Sequence, residues 1–145
     1  EIAVVPSELA PNPETIEIVN ITSGLCSYQG TEFILRGLPA LKSIVIGDKC
    51  FGKVRVFELD GLSELESVVI GQQSFRIDNK ERNDGSYRIV NCPKLKSIQI
   101  GYASFEDYHS FELNNLPSLQ SFDIGDWCFR YAPSFSLTGL IDGLV

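Results

Sequence analysis

The 145-residue chain contains no methionine, one histidine (His109), one tryptophan (Trp127) and only four cysteines. One imidazole cannot supply the ligand sets of most zinc sites, and Cys26, Cys50, Cys92 and Cys128 lack paired metal-ligand spacing. Nor can one histidine act as general base for several serines, so no serine is a nucleophile candidate. No enzymatic activity, cofactor or metal is therefore expected. Basic residues are outnumbered: 12 Lys and Arg face 19 Asp and Glu, a net charge of −7 that disfavours nucleic acid or an anionic membrane as partner. No apolar run approaches the roughly 18 residues of a membrane-spanning helix, so membrane insertion is not expected either. The chain opens with no basic region ahead of a hydrophobic stretch and no initiator Met, which reads as a processed form or an excised piece.

What the chain does have is a hydrophobic content of 43% with nine Phe, five Tyr and one Trp, enough to fill the core of one domain. Those residues recur on a fixed beat. The ten-residue stretches beginning at Leu38, Leu62, Cys92 and Leu116 superimpose, at spacings of 24, 30 and 24 residues. Phe33, Phe57, Tyr87, Phe111 and Phe135 keep the same period, as do Leu35, Leu59, Ile89, Leu113 and Leu137. A third series runs through Phe51, Phe75, Phe105 and Phe129, so the six extra residues of the long unit lie between Phe75 and Tyr87. Each unit carries a Leu41-x-x-Ile44-x-Ile46 phrase, a short strand with alternating inward residues. Each also carries a second alternating segment such as Val56-Phe57-Glu58-Leu59, and runs long enough for helices are missing.

The expectation is a mainly β solenoid of 24-residue coils, with a parallel sheet on the concave side, short strands on the other side and little helix. Gly47, Gly71, Gly101 and Gly125 follow the first strand of each unit, where a tight or left-handed residue is expected. Pro39, Pro93 and Pro117 precede it, where a missing amide proton is tolerated. Residues 1–14 read as an irregular lead-in. Residues 15–145 read as about five coils plus a partial one, with a degenerate first coil and an inserted loop at 76–86. Leu137, Leu140, Ile141 and Leu144 begin a unit without a polar cap, so a piece of a longer array and self-association through the uncapped C-terminal coil are expected.

The 24-residue beat and the -Ile-Gly-x-x-Ser-Phe- phrase of residues 70–75 and 100–105 resemble leucine-rich repeat proteins, most closely the BspA-like group of bacteria and protists. The resemblance covers roughly residues 33–140. It implies an extended ligand-binding or adhesion surface, often on a cell exterior, with no catalytic residues to carry across. The second segment departs from the group's pattern, with a plain Phe-x-Leu strand in place of a Leu-Pro phrase.

Positions between the inward residues form columns across the sheet: Ser43, Ser67, Ser97 and Ser121, then Val45, Val69, Gln99 and Asp123. Beyond the glycines come Asp48, Gln72, Tyr102 and Asp126, then Lys49, Gln73, Ala103 and Trp127. Tyr and Trp are enriched in interface hot spots. Tyr102, Asp126 and Trp127 are thus the candidate contact patch, with Gln99 and Asp123 on the strand face and Tyr108 and His109 at the nearby turn. A Trp beside a solenoid turn also fits a half-buried structural role. The inserted loop offers Arg76, Asp78, Lys80, Arg82 and Asp84, either for recognition or as a solvated hairpin extension, and Asp84-Gly85 reads as a turn pair.

All four cysteines occupy apolar or small slots and read as buried free thiols, although a bond between stacked Cys26 and Cys50 is geometrically feasible. Secreted, cell-surface and cytoplasmic locations all stay open. Two functions fit: a non-catalytic module binding a protein or surface glycan through the solenoid face and loop, or structural spacer repeats in a longer protein. Trimming 76–86 to regular unit length is expected to change stability by less than about 1 kcal/mol, because closure entropy varies slowly with loop length. Thermal melts of the trimmed and intact chains check this.

Overall fold

The computed structural model describes residues 3–4, 15–21, 29–76, 85–130 and 134–140. Eleven strands occur there and no helix: β1 (Ala3–Val4), β2 (Ile18–Ile21), β3 (Glu32–Leu35), β4 (Ser43–Ile46), β5 (Val56–Asp60), β6 (Ser67–Ile70), β7 (Gly85–Val90), β8 (Ser97–Ile100), β9 (Tyr108–Leu116), β10 (Ser121–Ile124) and β11 (Ser134–Leu140). The strands alternate between two sheets. One has the order β1-β3-β5-β7-β9-β11 and the other β10-β8-β6-β4-β2. All pairings are parallel except that of β1 with β3, so part of the expected irregular lead-in is a short antiparallel strand. The chain is a β-solenoid of about four turns at ~24-residue spacing.

Register follows the repeat. Ile21, Ile46, Ile70, Ile100 and Ile124 stand side by side in the second sheet, while Phe33, Phe57, Tyr87, Phe111 and Phe135 do so in the first. The insertion leaves this intact: Phe57 still pairs with Tyr87 and Leu59 with Ile89. Along β4, β6 and β8 every second residue is buried, as a strand with one face on a core requires. Between the sheets the buried aromatic rings fill the interior, stacked along each column and edge-to-face across them.

The turn glycines work differently from the sequence expectation. Positive φ falls on Lys49, Gln73, Ala103 and Trp127, and on Phe51, Phe75, Phe105 and Phe129, instead of on Gly47, Gly71, Gly101 and Gly125. What the sequence glycines supply is closeness. A Cβ on Gly101 would lie 2.7 Å from the carbonyl carbon of Gly71, and one on Gly125 would lie 2.8 Å from the Tyr102 nitrogen. Without side chains there, Gly71, Gly101 and Gly125 each donate an N–H to the preceding coil at 2.8 Å. Lys49, Gln73 and Ala103 instead donate forward, to the carbonyls of Gln72, Tyr102 and Asp126.

The left-handed glycines are at the opposite rim. Gly37 and Gly61 have φ of 64° and 69°, and the same slot in later coils holds Asn91 and Asn115 at 57° and 58°. Asparagine tolerates this conformation better than other side-chain-bearing residues, and here Asn115 Nδ2 donates to Asn91 Oδ1 at 2.9 Å. Gly101→Ala is expected to lose roughly 1–3 kcal/mol by overpacking against rigid backbone. Gly61→Asn, in open space and matching its counterparts, is expected to change stability by less than about 0.5 kcal/mol. Urea unfolding of the two variants checks the contrast.

Candidate functional site

Strands of the second sheet carry the predicted columns in register. Ser43, Ser67, Ser97 and Ser121 align, as do Val45, Val69, Gln99 and Asp123, with Gln99 and Asp123 exposed next to one another. The turn after each strand then reverses direction through the left-handed residues. In the last two described turns this places Tyr102 and Trp127 outward, 40% and 50% exposed. Their ring centroids lie 5.8 Å apart at a tilt of 31°. Asp126 is exposed between them in sequence order, its carbonyl fixed by the Ala103 N–H at 2.9 Å. Every other aromatic side chain among the described residues is buried or half-buried.

Trp127 also has a cationic neighbour. The Arg130 guanidinium lies over the indole, 4.4 Å from its centroid, a cation–π contact. Arg130 Nη1 reaches Glu106 Oε2 at 3.4 Å, and Glu106 Oε1 faces Arg76 Nε at 2.8 Å in an ionic contact. Sequence reasoning missed Glu106. Its signal is the alternation Arg76, Glu106, Arg130 directly after three successive core phenylalanines.

Tyr108 does not belong to the candidate contact patch. It is fully buried, packs edge-on to Phe105 at 4.9 Å, and donates its hydroxyl proton to the Val54 carbonyl at 2.7 Å. The reason lies in the insertion. Gly85, read as half of a turn pair, is instead the buried first residue of β7, and a Cβ there would meet the Tyr108 ring at 2.8 Å. The following coil's tyrosine fills the space left by the missing side chain. His109 is half-buried at the start of β9, in the sheet opposite the strand face of Gln99 and Asp123. Arg76 is exposed, whereas Asp78, Lys80, Arg82 and Asp84 lie outside the described residues. So do the side chains of Leu137 and Leu140 and all of residues 141–145.

Two buried serines stitch the same turns together. Ser74 Oγ donates to the Gly47 carbonyl and accepts the Cys50 N–H, and Ser104 Oγ donates to Gly71 and accepts the Ser74 N–H. Cys128 fills that slot one coil later, its thiol 3.0 Å from the Gly101 carbonyl. Among the described residues no three His, Cys, Asp or Glu side chains converge as a metal site would require. Comparison with protein-family models, with curated proteins and with solved structures finds no match.

Cys92 and Cys128 are free, as expected, but Cys50 is disulfide-bonded and corrects the free-thiol reading at that position. Equivalent slots of stacked coils stand about 4.8 Å apart, inside the range a disulfide spans. Cys26 lies outside the described residues. Burial pushes the Cys92 thiol up to about 11 from an ordinary 9.0. Its folded value is raised, so this contribution is complete below pH 9 and lost as the pH climbs through 11. Unfolding free energy is expected to fall by roughly 2–3 kcal/mol across that window. Cys92→Leu, which restores the residue of Leu38, Leu62 and Leu116, removes this part of the slope in urea unfolding at each pH.

Proposed function

We propose that this chain is a non-catalytic binding or adhesion module of the leucine-rich repeat type, which meets its partner through the turn surface around Tyr102 and Trp127. One observation carries the reading: two large aromatic side chains stand exposed and in mutual contact on a scaffold that withdraws its other described aromatics from water. Large rigid rings held by a stiff backbone lose little conformational entropy on binding, which is why Tyr and Trp dominate interface energetics. Asp126 beside them, with Gln99 and Asp123 on the adjoining strand face, supplies polar groups for a rim. The chemistry fits a protein surface first and a glycan second. Arg76, the first residue of the inserted stretch, is exposed as well.

The β10 edge supports self-association as an accompanying property. Phe122 and Ile124 are only half-buried there, whereas their counterparts Ile98 and Ile100 are covered by the next coil. Spacer repeats remain the competing function, and they require nothing of Tyr102 or Trp127. The distinguishing experiment measures retention of the chain on immobilised cell-surface proteins and on a glycan array. Tyr102→Ser/Trp127→Ser is expected to abolish retention while leaving the thermal melt in place. Retention unchanged by the double substitution overturns the reading.

A further inference from the structure

Arg76, Glu106 and Arg130 occupy one slot of the repeat in three successive coils, the residue directly after the core phenylalanine. Stacking therefore puts the middle carboxylate between two guanidinium groups, at 2.8 Å and 3.4 Å. The two arginine side chains are 46% and 44% exposed, whereas that of Glu106 is only 5% exposed. A carboxylate with so little water depends on the cations beside it, and it holds those cations in return. One of them does more than balance charge. Arg130 lies over the Trp127 ring, and Trp127 leans on Tyr102. The other, Arg76, opens the inserted stretch 76–86.

We propose that Glu106 is the positioning residue of the contact surface. Through Arg130 it fixes the orientation of Trp127, and through Arg76 it ties that ring to the point where the insertion begins. The aromatic pair and the root of the insertion then meet a partner as one preorganised unit. The proposal rests on the reading of Tyr102 and Trp127 as the contact surface, but the connection itself is measurable without any ligand. The molecule also carries its own control. On the first sheet Glu58 lies between Arg36 and Arg88 at 3.1 Å and 3.6 Å, with its side chain 15% exposed. Loss of charge there perturbs a similar ion cluster, centred on a β5 residue instead of on a turn.

Trp127 is the sole tryptophan, so fluorescence excited beyond the tyrosine absorption band reads this one ring. Emission maximum and acrylamide quenching are measured for the intact chain and for Glu106→Gln, Arg76→Gln and Glu58→Gln. Glu106→Gln is expected to move emission to longer wavelength and increase quenching. Arg76→Gln is expected to move both the same way by less, although its ionic partner is Glu106 and the indole is stacked by Arg130. Glu58→Gln is expected to leave both at the wild-type values. Should the buried Glu106→Gln fail to fold, the exposed Arg76 site decides the question. An unchanged spectrum in Arg76→Gln, or an equal change in Glu58→Gln, overturns the coupling. A spectral response together with retention that survives Tyr102→Ser/Trp127→Ser overturns the contact-surface reading instead.

Discussion

Phe33, Phe57, Tyr87 and Phe111 stack along one column at 5.1–5.3 Å, and Phe51, Phe75, Phe105 and Phe129 along another at 4.7–5.4 Å. Across the columns the rings meet edge-to-face, Phe57 with Phe75 at 78° and Tyr87 with Phe105 at 80°. Both geometries suit the ring quadrupole, and each pair is worth about 0.5–1.5 kcal/mol beyond area burial. The rings also set the chain's conformation. Phe51, Phe75, Phe105 and Phe129 reach their column only from left-handed backbone, with φ between 53° and 62°. That conformation costs a bulky residue about 1–2 kcal/mol. Burying a phenyl ring returns roughly 1.5–3 kcal/mol before stacking is counted, so packing wins at each coil. The turn surface, with its own left-handed residue two positions earlier, follows from this arrangement.

A chain built this way has little room for error along its axis. Glycine at 71, 101 and 125 lets successive turns approach to within backbone contact, and the serines at 74 and 104 convert that approach into hydrogen bonds. Surface ion pairs such as Arg88 with Glu112 and Lys94 with Glu64 decorate the coils, but exposed pairs contribute only about 0–1 kcal/mol each. They hold register less than the rings and glycines do. Where the coil resumes at β7, Tyr108 fills the space beside Gly85 and anchors its hydroxyl on Val54.

The consequence is a stiff frame with adjustable turns. Residues that face inward are confined to a few apolar types, whereas the positions after each strand vary from Asp48 and Lys49 through Gln72 and Gln73 to Tyr102 and Trp127. Variation at those positions changes the surface without disturbing the columns beneath it. Insertions act the same way, since they emerge where the coil already turns. The Glu106 triad adds a link between the two kinds of variation, a carboxylate that serves an exposed ring on one side and the start of an insertion on the other.

The amino-acid sequence by itself determined the period, the strands and their register. Three apolar series on one beat leave a single way to stack, and the 30-residue unit confines its extra residues between Phe75 and Tyr87. It also singled out Tyr102 and Trp127, large aromatic side chains in the columns that follow the turn glycines. Three matters were decided only in the folded chain. Glycine's role at the turns depends on the distance to the preceding coil, which periodicity does not encode. Tyr108 looked exposed beside His109, and it is buried because a glycine in another coil leaves a space of its size. Glu106 gains its partners from residues a full coil away in sequence. Repetition sets which slots coincide; which side chains then touch depends on the particular residues that stacking brings within a few ångströms.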